Sequence, residues 1–116
     1  MTGPSIEPEH AFIASEVEKA PAARGVYALH ASDGRVIFLG RAFGNIMFGT
    51  IRDELGKHLA GHYGPCTQKA TQFGSVPCDD PEETLGRYLE SHLLAISNQG
   101  KLPECNPESD RKLLPT

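Results

Sequence analysis

Two strand-like runs joined by three turn residues constrain this chain more than any other feature. Gly25-Val26-Tyr27-Ala28-Leu29-His30-Ala31 and Arg35-Val36-Ile37-Phe38-Leu39-Gly40 flank Ser32-Asp33-Gly34. Branched, aromatic and aliphatic side chains suit a pleated, half-buried surface. The Ser-Asp-Gly tripeptide supplies local side-chain acceptors and a residue free to adopt positive φ. The pattern predicts an antiparallel β-hairpin. A lone hairpin is marginal in water, so the rest of the chain must cover this one.

The flanking segments supply that cover. Pro8 at a first helical position, with Phe12, Ile13 and Val17 behind it, predicts a helix over about 8–20 that stops before Pro21. Thr50 with Asp53 has the form of a capping box, and Ile51, Leu55 and Leu59 then fall four apart, up to Gly61 or Gly64. Residues 70–77 read as a third strand. Asp80-Pro81-Glu82-Glu83 reads as an N-cap, a proline at the first helical position and acids in the first turn. Leu85, Leu89, Leu93 and Ile96 line one face of that helix, which Gly100 and Pro103 end. The order predicts an α/β fold: a small central, mostly antiparallel three-stranded sheet, made of the hairpin plus one strand, flanked by helices. With 116 residues and no repeat or long linker, the chain reads as a single domain over 1–116 with loose ends at 1–7 and 107–116.

Charge and cysteine usage bound the function. A formal charge of −4 argues against a large, non-specific basic surface for nucleic acid, leaving only a local cluster such as Arg35 with Arg41. No run approaches the roughly 18 apolar residues of a bilayer span, and residues 1–7 lack the basic-then-apolar form of a signal peptide. Three cysteines, an odd number, do not suggest a disulfide framework. The chain therefore reads as a cytoplasmic protein with reduced thiols and no membrane partner.

A set of short motifs recurs in a telling order. Gly25-Val26-Tyr27 lies on the first hairpin strand, and Phe38-Leu39-Gly40-Arg41-Ala42 on the second. Ile51-Arg52-Asp53-Glu54-Leu55-Gly56-Lys57-His58-Leu59 forms the helical segment. Leu89-Glu90-Ser91-His92-Leu93-Leu94 and Leu102-Pro103-Glu104-Cys105-Asn106 follow. Over about 24–106 this resembles the GIY-YIG nuclease family. The resemblance implies a phosphodiester hydrolase acting on DNA or another nucleic acid with one Mg²⁺ or Mn²⁺ ion. Such an ion polarises the phosphate and stabilises the leaving oxygen. Carried over by motif, Glu90 matches the metal-binding Glu, Tyr27 the first Tyr, His58 the helix His and Asn106 the late structural Asn. Tyr27 with His58 would then position water, and Arg41 or Arg52 would stabilise charge on phosphorus. No accessory DNA-binding segment is visible, so a protein partner is a further expected source of specificity.

Two positions depart from that pattern. Phe38 stands where the second Tyr belongs, and Glu54 takes the slot of the catalytic Arg, with Arg52 two residues earlier. A Glu there repels phosphate. The departures therefore set a catalytically degenerate binding module on the same fold against the metal-dependent endonuclease.

Each residue also has a plainer role. Glu90 sits at the edge of the apolar arc of its helix and pairs there with Arg87 or Lys101. Tyr27 packs in the core with its hydroxyl at the surface. His58, Arg41 and Arg52 are solvated. A third alternative is a zinc-stabilised interaction domain using His58, His62, Cys66 and Cys78, although the chain has no Cys-x-x-Cys pair. Gly-rich residues 40–49 lack the Gly-Lys-Ser/Thr of a phosphate loop.

Overall fold

The computed structural model of the protein describes residues 4–45 and 49–115. The hairpin forms from β2 (Gly25–His30) and β3 (Val36–Ala42). Its turn is closed by Ala31 N–H to Arg35 O at 2.8 Å, and Arg35 N–H donates to Asp33 Oδ1 at 2.9 Å. A bulge interrupts the pairing between Leu29 and His30, because Leu29 faces Phe38 while His30 faces Val36. Ile37 is left as the extra residue.

The sheet has four strands rather than the three expected, in the order β1-β4-β2-β3 with every pair antiparallel. Residues 70–77 supply β4 (Gln72–Pro77), which pairs with β2 on its inner side. The fourth strand is β1 (His10–Ala11), inside the segment expected to be helical. The expected helix over 8–20 shrinks to α1 (Ala14–Val17). The outer edge of β4 explains the change. Glu9 N–H donates to Phe73 O and Phe12 N–H to Thr71 O, so residues 9–12 cover backbone groups that a helix would leave open. Phe12 and Val17 still reach the core, whereas Ile13 is exposed.

All six residues of β2 are buried, because helices cover both faces of the sheet. Alternation sends Tyr27 and Leu29 to one face and Val26 and Ala28 to the other. On the first face, α2 (Ile51–Leu59) packs Ile51 and Leu55 against Tyr27, Leu29 and Phe73. The capping box forms as read: Asp53 N–H donates to Thr50 Oγ1 and Thr50 N–H to Asp53 Oδ2. On the second face, α3 (Pro81–Leu94) packs Leu85 and Leu89 against Val26, Ala28 and Leu39. Burying two such leucines stabilises the fold by about 3–6 kcal/mol relative to leaving them in water.

The start and end of α3 differ from expectation. Asp80 occupies the N-cap without a side-chain hydrogen bond, so Pro81 and the first-turn acids carry the start. The helix ends at Leu94, earlier than Gly100, because Ala95 turns extended and Asn98 Nδ2 donates to His92 O at 2.7 Å. Ile96 therefore leaves the helical face and is almost fully exposed.

Cysteine chemistry also differs from the expected reduced thiols. Cys66 and Cys105 form a disulfide, and Cys78 is the free cysteine, half-buried against the α3 side of the core. An odd count had pointed away from pairing, but two cysteines 39 positions apart meet because the C-terminal segment returns along β3. Cys105 N–H donates to Ile37 O there, at 2.8 Å. Among the described residues no helix is long and apolar enough to cross a membrane.

Candidate functional site

Four positions of α2 share one inward face: Ile51, Glu54, Leu55 and His58 are all buried. Their spacing of three, four and seven residues is one helical stripe. The apolar pair at Ile51 and Leu55 seats the helix on the sheet, and that seating carries Glu54 and His58 inward with it. His58 is thus 1% exposed rather than solvated.

His58 meets Tyr27 beneath it. Tyr27 Oη and His58 Nε2 are hydrogen-bonded at 2.9 Å, and His58 Nδ1 is bonded to Thr67 Oγ1 at 2.9 Å. A neutral imidazole has one N–H and one acceptor nitrogen, so the Tyr27–His58–Thr67 chain is satisfied with the proton on either nitrogen. Burial pushes His58 down to about 4, which keeps the ring neutral. Burial, reinforced by the nearby Glu54 carboxylate, raises Tyr27 well above the ordinary phenol range. Gly40 makes room for the Tyr27 ring: a Cβ there would lie 2.5 Å from Tyr27 Cζ and Oη.

These groups line a cavity of about 380 Å³. Phe38 is half-buried in its wall with its ring centroid 4.8 Å from that of His58. Tyr63 stands at the mouth, 4.5 Å from His58 by the same measure. Glu54 is 8% exposed and well held, accepting from Tyr63 Oη at 2.7 Å and from Lys57 Nζ at 3.0 Å. Partial desolvation of the Tyr63 hydroxyl, and then its bond to Glu54, push Tyr63 up to about 12. Asp110 adds a second carboxylate, which accepts from Asn106 Nδ2 at 2.8 Å. Arg41 lines the same cavity, with its guanidinium 3.7 Å from Glu82 and 5.2 Å from the Phe43 ring centre. Arg41 Nε is buried and has no hydrogen-bond partner among the described residues.

The cavity brings together three residues singled out from sequence, Tyr27, His58 and Arg41. The other two lie elsewhere. Glu90 is exposed on α3 and does not line the cavity. Arg52 turns back to the start of the fold, where its Nε donates to Ala20 O at 2.9 Å. The carboxylates of the cavity are thus Glu54 and Asp110, both already hydrogen-bonded, and not the Glu90 expected to hold Mg²⁺ or Mn²⁺. The cavity walls do not match that single-Glu metal site.

The zinc alternative also lacks its ligands. Both His58 nitrogens are engaged, His62 is exposed, and Cys66 is bonded to Cys105. Cys66, Glu104 and Cys105 bring donor atoms together, but two of the three are the disulfide sulfurs.

Sequence reasoning missed Tyr63, Thr67 and Asp110. Thr67 follows Cys66, and the disulfide that fixes its place carries no local signal. Asp110 sits in a tail read as loose, yet residues Glu108–Leu113 form a 3₁₀ turn held against the fold. Asn106 behaves as a structural residue: Leu39 N–H donates to its Oδ1 and its Nδ2 donates to Leu39 O, both at 2.9 Å. Compared with protein-family models, curated proteins and solved structures, the chain matches none of the three.

Proposed function

We propose that this chain is a binding module on a GIY-YIG-like framework that has lost phosphodiester cleavage. The observation that carries this reading is Glu54, a buried carboxylate beside the Tyr27–His58 pair where a phosphate-cleaving site would need a cation. Proton affinities point the same way. A phenol raised well above its usual range and an imidazole lowered to about 4 make a poor general-base pair near neutral pH.

A second reading, a Mg²⁺- or Mn²⁺-dependent endonuclease acting on DNA or another nucleic acid, is favoured by Tyr27, His58 and Arg41 sharing one cavity. That reading assigns the ion to Glu90, which lies outside this cavity, and the clamp to Arg41, which lines it, or to Arg52, which does not. Nicking of supercoiled plasmid with Mg²⁺ and then Mn²⁺, by the native protein and by Glu90→Ala, separates the two. The binding module predicts no cleavage by either protein. Cleavage by the native protein that disappears in Glu90→Ala would establish the endonuclease.

A further inference from the structure

We propose that the cavity beside Tyr27 takes a small zwitterionic molecule, with its cationic end against Glu54 and the surrounding rings and its anionic end against Arg41. This inference rests on the binding-module reading. A volume of about 380 Å³ is within the range of small-molecule pockets.

The cationic half follows from charge and ring placement. Glu54 is nearly buried, lines the cavity, and bonds to Lys57 Nζ and to the neutral Tyr63 hydroxyl. Asp110 adds a second acidic group to the lining. Tyr27, Phe38, His58 and Tyr63 form one run of rings, with successive centroids 6.1, 4.8 and 4.5 Å apart. Aromatic faces beside a carboxylate are the usual surroundings of an organic cation. The neutral His58 adds no opposing charge.

The anionic half follows from Arg41. Its Nε is buried without a hydrogen-bond partner among the described residues, and an unmade hydrogen bond at a buried donor is costly. An acceptor brought by a ligand removes that cost. A simple anion entering the cavity meets Asp110 and the Lys57-paired Glu54, and a simple cation meets Arg41, itself 3.7 Å from Glu82. A molecule carrying both charges satisfies both walls, which is how such a cavity discriminates.

The test is calorimetric titration of the full chain with trimethylammonium carboxylates of increasing charge separation: glycine betaine, γ-butyrobetaine and 6-(trimethylammonio)hexanoate. Tetramethylammonium and acetate are the single-charge controls, and NMR shifts at Tyr27, His58 and Tyr63 locate binding. The expected result is one member of the series binding in the cavity at least about tenfold more tightly than either control, with Glu54→Gln and Arg41→Gln each weakening it about tenfold. Failure of all three zwitterions, or a control binding as tightly as the best of them, overturns the proposal. The comparison of probes on the native protein decides the matter even where a variant does not fold. Plasmid cleavage by the same preparation would instead remove the binding-module reading. Absent cleavage together with absent zwitterion binding would overturn only the ligand class.

Discussion

The side-chain amide of Asn106 pairs with both backbone groups of Leu39, 67 positions earlier, donating to its carbonyl and accepting from its N–H. β3 is an edge strand, and at Leu39 the Asn106 amide stands in for a further strand.

Asn106→Ala should therefore cost about 2–4 kcal/mol, since it leaves a buried N–H and a buried carbonyl unpaired at once. Urea denaturation measures the loss, and hydrogen exchange should show the Leu39 amide opening first. A variant as stable as the native chain would mean that water replaces the amide at no cost.

Gly40→Ala should displace the Tyr27 ring, because the added Cβ would sit 2.5 Å from Tyr27 Oη and 2.6 Å from Phe38 Cε2. A loss of about 1–3 kcal/mol is expected from overpacking. His58, deprived of its partner and of part of its burial, should titrate closer to 6.5. Unchanged His58 titration in a folded Gly40→Ala protein would show that the ring moves without breaking the pair.

His58 makes stability depend on pH in a defined direction. Its folded value of about 4 lies below the ordinary 6.5, so the folded state resists its protonation. The contribution is complete above about pH 6.5 and is lost as pH falls toward 4, at up to about 1.4 kcal/mol per pH unit. Denaturation at several pH values, native against His58→Gln, isolates this slope, and imidazole NMR reads the titration directly. A midpoint near 6.5 would refute the buried neutral ring.

Replacing Cys66 and Cys105 together by Ser opens a loop with a sequence separation of 39. Chain-entropy arguments put the cost at about 3–4 kcal/mol. Thermal unfolding of the double variant, and of the native protein with and without a dithiol reductant, should show matching losses. Equal stability in all three would mean that the bond forms in neither preparation.

The parts of the fold visible in the sequence were those with local causes. Ser32-Asp33-Gly34, the Thr50–Asp53 box and the leucines at 85 and 89 each act through near neighbours, and each element formed where they indicated. Residues 8–20 misled because Phe12 and Val17 suit a helix, while the open edge of β4, some sixty residues away, decides the backbone there. At the site, Tyr27, His58 and Arg41 were marked by motif and converge. Glu90 was marked on the same grounds, but its exposure depends on how α3 is rotated against the sheet, and Leu85 with Leu89 set that rotation. Tyr63 and Asp110 reach the cavity only through the path of irregular segments, which no periodicity encodes.

The bond between Cys66 and Cys105 also closes a covalent ring that contains β4 and α3. β4 lies inside the sheet between β1 and β2, while α3 covers one of its faces. A protease cutting at the exposed Asp79–Asp80 connection would linearise that ring without releasing a fragment. Both new ends would stay on one molecule, and the strand and helix they belong to would remain tethered at Cys66 and Cys105. The chain is in this sense a loop with two tails, and the disulfide keeps β4 and α3 on one molecule whether or not the backbone between them is intact.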